Sequence, residues 1–384
     1  MTSAGARADA WNDTLSARPR RLPSMTEEAD VLVADGVRKT YGDVVALDGV
    51  SLSVAVGEVF GLIGPNGAGK TTLVRAFTGT TDAEGAVRVH GVPPREVDSR
   101  RVGLLPQSFE PPTRLTPREL LDYYGGLYDD ARPTRDVLAD VGLEGDADRR
   151  YEALSGGQKR RLCVGTALVN DPDVLFLDEP TTGIDPAGRR AMWRLVDGLA
   201  AGGTTVLLTS HSMREVERLA DRVGLLNAGE LVAVGPPDDL VAAHGGAARL
   251  EVRTDATPEA LAGTDLRVEA TVEGLVVHDV ATGEVGRTVR VLEAAGVVYE
   301  ALVWRRPGLE DAYLALTGEA FEGAGATGAR EGVTNADGDA DGDADGDGDA
   351  GAGGDGDGPL EATTDGGEGR RAEAAGDGRR GGPR

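Results

Sequence analysis

One cysteine in 384 residues, Cys163, rules out an internal disulfide framework, and we expect it to be a small core residue. No stretch approaches the ~18 consecutive apolar residues that a membrane-spanning helix needs. The first 24 residues carry no apolar segment, so Arg20-Arg21 is not followed by what a twin-arginine signal requires. The expectation is a cytosolic chain that meets a membrane only through a partner. Lysine is also scarce. Of 40 basic residues, Lys39, Lys70 and Lys159 are lysine and the other 37 arginine. Against 65 acidic residues this leaves a net charge of −25, which argues against nucleic acid as a partner. Hydrophobic residues still make up 40% of the chain, sufficient for a sizeable core.

Where lysine is kept, its place is informative. Gly64-Pro65-Asn66-Gly67-Ala68-Gly69-Lys70-Thr71-Thr72 follows the apolar run Val59–Ile63 and leads into a helical stretch ending near Phe77. Strand, Gly-x4-Gly-Lys-Thr loop and helix in that order describe a phosphate-binding loop. Its glycines let backbone N–H groups turn inward around phosphate oxygens. Lys70 brings a compact charge to the β- and γ-phosphates, and the Thr71 hydroxyl is a candidate Mg²⁺ ligand.

A second glycine-rich segment, Leu154-Ser155-Gly156-Gly157-Gln158, opens another helical run over residues 159–169. By itself Ser155 reads as an ordinary N-cap. The same geometry, with free N–H groups at the positive end of the helix dipole, also makes an anion site. Shortly afterwards the run 173–177, apolar from Val174 onward, ends in Asp178-Glu179-Pro180. Such a run suits the centre of a parallel sheet, and its C-terminal end is where ligands bind in open α/β sheets. There Asp178 can hold Mg²⁺ through water, while Glu179 can orient and polarise an attacking water.

These three segments in this order resemble the ATP-binding cassette (ABC) ATPases, with residues 154–158 matching that family's signature motif. The resemblance extends over roughly residues 31–240. It implies that Tyr41 stacks on adenine, that Gln107 senses Mg²⁺ and the γ-phosphate, and that Asp185, in Gly183-Ile184-Asp185-Pro186, belongs to a loop facing a second subunit. It likewise implies that His211 is the switch histidine after the next strand. Alone, a Gln or His after a strand is more often structural; seven motifs in family order are not a coincidence. The family further implies two copies closing head to tail over two Mg·ATP, with the phosphate loop of one copy facing the signature residues Ser155, Gly156, Gly157 and Gln158 of the other.

The expected fold is α/β: a P-loop NTPase core with an N-terminal antiparallel β subdomain and a helical signature subdomain, then a small α+β domain. Residues 1–30 read as a disordered arm, in which Met25 is an alternative start, and 31–243 as the cassette. Strands are expected at 31–33, 44–47, 50–56 and 59–63. Thr116-Pro117-Arg118-Glu119 forms a capping box opening the helical insert. The accessory domain, 244–322, should hold strands at 250–253, 266–272, 275–280 and 297–304 with a helix over 285–295. Its close, from Arg306 to Gly318, resembles the ending of an ABC branch serving exporters of drugs, polysaccharides or lipids, and should put Leu309, Tyr313 and Leu316 on one helix face. Residues 323–384 carry 15 acidic and 6 basic residues with almost no large apolar ones and should stay disordered. The Asp337–Asp345 repeat lacks a calcium loop's closing glutamate, since positions 348 and 352 are glycine and alanine.

The leading reading is an ATP-hydrolysing subunit, peripheral on the inner face of the membrane, that energises a separately encoded permease for export. An importer ATPase is the alternative within transport, but it should carry a larger C-terminal β-barrel. A ribosome-directed ABC ATPase would need two cassettes, and a chromosome-directed one a long coiled coil between Lys70 and Asp178. The acidic, lysine-poor composition fits a high-salt cytoplasm such as that of a halophilic archaeon, and a GC-rich genome would also favour arginine.

Overall fold

Two long strands open the part of the chain, residues 30–319, that the computed structural model describes. β1 (Asp30–Tyr41) and β2 (Val44–Ala55) join through Gly42, whose φ of +56° suits the tight turn. Where two short strands were expected, at 44–47 and 50–56, there is one. Val37 faces Val50 but Lys39 faces Leu47, so β2 carries an extra residue at Asp48-Gly49, and Gly49 at φ +73° accommodates this bulge without ending the strand. The chain then runs through β3 (Val59–Ile63) and α1 (Lys70–Phe77) to β4 (Glu84–Val89), which completes an antiparallel sheet in the order β2-β1-β4.

The second sheet positions the chemistry. It comprises β5 (Val102–Leu105), β6 (Val174–Asp178), β7 (Thr205–Ser210), β3, β8 (Arg222–Asn227) and β9 (Glu230–Gly235), in that spatial order. All pairings are parallel except β8 with β9. Every residue of β3, β6 and β7 is buried, as strands covered on both faces require, and the polar Asp178, Thr205, Thr209 and Ser210 are buried with the apolar residues. Register places Ile63 beside Ser210 and Asp178 beside Thr209. The phosphate loop, the Glu179 turn and His211 therefore leave three adjacent strands at the same end of the sheet.

Between β5 and β6 lie α2 (Pro117–Gly125), α3 (Thr134–Asp140) and α4 (Gly156–Thr166). The capping box opens α2: the Glu119 amide donates to the Thr116 hydroxyl at 3.2 Å and the Thr116 amide to the Glu119 carboxylate at 2.9 Å. Leu121, Val137 and Leu162 join these helices to the main core, which also takes in Cys163. α5 (Pro186–Ala201) and α6 (Met213–Leu219) flank β7 in chain order, and α7 (Pro237–His244) follows β9.

The third sheet is antiparallel, in the order β11-β12-β10-β13, from β10 (Arg249–Arg253), β11 (Val268–Thr271), β12 (Gly274–Val277) and β13 (Ala301–Arg305). With α8 (Val285–Ala294) it encloses its own core around Leu250, Val252, Leu275 and Leu292. β13 starts later than the expected 297 because Gly296 and Val297 close α8: their amides bond back to Glu293 and Leu292. β11 and β12 are likewise shorter than their apolar patterns. α9 (Leu309–Thr317) returns to the main core, burying Leu309 and Tyr313 with Leu316 half-buried beside them, and the Leu309 amide donates to Glu217 of α6 at 2.6 Å. Among the described residues no helix is long and apolar enough to cross a membrane. The expected arm, Asp30 apart, and the expected tail lie outside them.

Candidate functional site

At the end of β3 the chain turns tightly because its glycines permit it. A side chain at Gly64 would place its Cβ 2.3 Å from the Leu226 carbonyl, and one at Gly69, where φ is +108°, 2.4 Å from that of Ala46. Gly69 is the N-cap of α1 and no side chain closes the helix start, so the first-turn N–H groups face the loop. Pro65, Asn66, Gly67 and Ala68 form the span over this start; Gly67 has φ +83° and Ala68 is buried. Lys70 is only 5% exposed and donates to the Gly64 and Pro65 carbonyls at 2.7 and 2.9 Å. Burial pulls its ammonium below the ordinary lysine value, with Glu179 and Asp178 opposing the shift. Both carboxylates thus lie within electrostatic reach of the loop. Thr71 and Thr72 are half-buried in the first turn of α1.

Asp178 ends β6 and is 2% exposed; Thr209 of the neighbouring strand donates to its Oδ1 at 2.5 Å. The same hydroxyl accepts the Glu179 amide at 3.0 Å. Glu179 adopts φ +48°, uncommon for a side-chain-bearing residue, and strain of this kind concentrates at functional sites. Its Oε2 accepts from Gln107 Nε2 at 3.0 Å and Thr182 Oγ1 at 3.1 Å, and His211 Nδ1 stands 3.4 Å away. The structure thus brings together Lys70, Gln107, Asp178, Glu179 and His211, residues spread over more than a hundred positions.

Tyr41, at the tip of β1, stays 45% exposed. The hydroxyl of Thr81 pulls its phenol below the ordinary value; Thr72 and Arg75 act in the same direction, which puts the ring beside α1. The Lys39 ammonium lies 5.1 Å from the ring centroid.

The signature segment is separate. Ser155 caps α4 and accepts the Gln158 amide at 3.3 Å; Gln158 in turn accepts the Ser155 amide at 2.9 Å and donates to Asp146 at 2.6 Å. Ser155 and Gly156 are exposed. Among the described residues no hydrogen bond or ion pair joins residues 154–158 to the phosphate loop. Asp185 caps α5, accepting the Ala187 and Gly188 amides at 3.2 and 3.3 Å. The starts of α4 and α5 touch: a Cβ on Gly157 would fall 2.8 Å from the Gly188 Cα.

Four residues escaped the sequence reading. Thr209 and Thr182 serve the acidic pair directly. Glu215, fully buried, accepts from Thr181 at 2.9 Å, Ser210 at 2.6 Å and Trp193 at 3.1 Å, tying the segment after Glu179 to the end of β7. Arg160 on α4 reaches the backbone of residues 178–180. An acidic residue four positions after His211 is a signal for Glu215 only in retrospect, because helix spacing alone does not bury a carboxylate.

Residues 47–182 match the ABC transporter family. Over 325 residues the chain is 39% identical to the Nod factor export ATP-binding protein I of Rhizobium meliloti, covering 81% of this chain and 94% of that protein. It is 38% identical to a daunorubicin resistance ATP-binding protein of Streptomyces coeruleorubidus, over 75% of this chain and 96% of that one. The crystal structure of the ADP conformation of an ABC transporter's ATP-binding cassette matches with a TM-score of 0.50 at 27% identity, covering 55% of this chain and 92% of the other. With the phosphate loop, signature and Asp-Glu turn in place, and with relatives matched along most of its length, the chain belongs to the ABC transporter ATP-binding proteins, a family of ATPases.

Proposed function

We propose that this chain is the ATPase of an exporter, working on the cytoplasmic face of the membrane through a separately encoded permease. The relatives named for Nod factor export and daunorubicin resistance support the direction of transport. The observation that carries the chemistry is the Glu179 carboxylate, 7% exposed and held by Gln107 and Thr182 with His211 beside it. A carboxylate so fixed, within electrostatic reach of the phosphate loop, would orient and polarise water for in-line attack on the γ-phosphate. Lys70 and the α1 start would bind the phosphates, Tyr41 would stack on the base, and His211 would hold the γ-phosphate end of the site.

The donors fit Mg²⁺, a hard cation that takes one or two carboxylates, keeps several waters and shares phosphate oxygens. Asp178, buried with one oxygen tied to Thr209, offers the carboxylate, and Thr71 and Gln107 offer neutral oxygens. Among the described residues no ready-made cluster of three His, Cys, Asp or Glu exists, as suits a cation held largely by substrate and water. When bound, Mg²⁺ neutralises charge on the β- and γ-phosphates.

The exposed Ser155-Gly156 start of α4, unconnected to this chain's own phosphate loop, supports a head-to-tail pair in which it meets the partner copy's nucleotide. Glu179→Gln tests the assignment. The amide keeps shape and hydrogen bonds, so ATP binding should persist while turnover falls about a thousandfold, and ATP should trap a dimer in size-exclusion chromatography. An unchanged hydrolysis rate removes Glu179 from this role.

A further inference from the structure

Arg160 stands two residues after Gln158 on α4, yet its side chain serves the other end of the chemistry. Its half-buried guanidinium donates to four backbone carbonyls. Nη2 reaches Asp178 at 2.9 Å and Glu179 at 3.0 Å, Nε reaches Pro180 at 3.1 Å, and Nη1 reaches Gln107 at 3.4 Å. Three of these carbonyls are consecutive and span the Glu179 backbone at φ +48°. Such a conformation persists only where the surroundings over-determine it. A planar fork of five donors in fixed geometry can bind several carbonyls at once; an ammonium, a point charge, cannot match them all.

We propose that Arg160 is a positioning residue that holds Glu179 in register with the signature helix. Ser155 and Arg160 share one short rigid helix. Docking of its start on the partner copy's nucleotide is therefore transmitted to the carboxylate serving this copy's own nucleotide, so one helix couples the two sites of the dimer. Arg160 itself touches no substrate. The assignment rests on the reading of Glu179 as the water-polarising group and adds what holds that group in place.

The test uses the full chain with Arg160→Lys, which keeps a cation on a similar stem but loses the fork, and Arg160→Gln, each alone and combined with Glu179→Gln. For Arg160→Lys we expect hydrolysis at saturating ATP, well below the melting temperature, to fall about tenfold to a hundredfold. ATP affinity should stay within about twofold, and Arg160→Gln should lose more rate than Arg160→Lys. In the Glu179→Gln background neither change should slow the residual turnover further, because Arg160 acts through that carboxylate. A wild-type rate for Arg160→Lys overturns the proposal, as do losses that multiply in the double variant or a drop confined to ATP affinity. If Arg160→Gln does not fold, the lysine variant decides. If Glu179→Gln itself hydrolyses normally while Arg160→Lys is slow, the reading of Glu179 has failed and the positioning role falls with it.

Discussion

The starts of α1 and α4 are both glycine-rich and both expected to meet phosphate, but they are built differently. α1 starts at Gly69 in a left-handed conformation with no side chain closing it, over a lysine folded back onto its own loop. α4 starts at Ser155 with a complete capping box, anchored further by Asp146. The first start has no side chain on its N–H groups and keeps a buried ammonium beside them, as the proposed phosphate site requires. The second bonds the amides of Ser155 and Gln158 within its own capping box. The difference fits the duties proposed for them: one would hold nucleotide in the single subunit, while the other would be a surface brought to a nucleotide held by the partner copy.

The comparison breaks most visibly at Lys70. Lys70→Ala removes the buried charge from the open start, and ATP affinity measured by titration calorimetry should fall by about a hundredfold or more. Normal binding would count against the phosphate-loop assignment. Ser155→Arg acts at the closed start. It should bind ATP within about threefold of wild type, because Lys70 is intact, yet hydrolyse about a hundredfold more slowly, because the arginine crowds the surface offered to the partner's γ-phosphate. Mixing the two variants puts both defects on one composite site and leaves the other wild type, so partial hydrolysis should return where one intact site suffices. A wild-type rate for Ser155→Arg alone at saturating protein would sink the head-to-tail arrangement for this chain.

The contrast between the two starts was only half legible in the sequence. Both glycine-rich segments stand out, as do the apolar runs that become β3 and most of β6, because burial on both faces leaves a local mark. The convergence of Lys70, Glu179 and His211 also followed, since parallel strands that each end in a polar turn bring those turns to one edge. Long-range side-chain bonding leaves no such mark. Lys159, Arg160 and Arg161 are three consecutive basic residues of one helical run, yet Lys159 lies over the Tyr151 ring, Arg161 binds the Val141 carbonyl, and Arg160 clasps the turn at Glu179. Likewise the single strand β2 depends on a bulge at Gly49 that an apolar pattern reads as a break, and β13 starts late because a helix end claims Gly296 and Val297.

Gly157→Ala sharpens the comparison at the level of packing. At Gly69 the constraint is conformational as well as steric, since φ is +108°, whereas at Gly157 it is contact with α5 alone. An alanine Cβ 2.8 Å from the Gly188 Cα forces the two helix starts apart, at a cost of about 1–3 kcal/mol. Thermal melting should drop by several degrees. Because Asp185 caps the helix that must move, ATP-driven dimerisation should weaken while ATP binding by the monomer does not. A variant as stable as wild type would show that the contact yields.

Gln158→Ala is the smallest change and isolates the cap itself. Removing Gln158 leaves the Ser155 amide and one oxygen of Asp146 without their partner, while Ser155 still accepts the amide of residue 158. Half a capping box is worth about 1 kcal/mol, so urea denaturation should show a loss of that order with an unchanged m-value. ATP affinity should not change, since the open start at Gly69 is untouched. Hydrolysis should fall only a few-fold, as far as fraying of the first turn misplaces Ser155 in the dimer. A large loss of ATP affinity would mean that Gln158 contacts nucleotide within its own subunit, and the division between an open and a closed helix start would not hold.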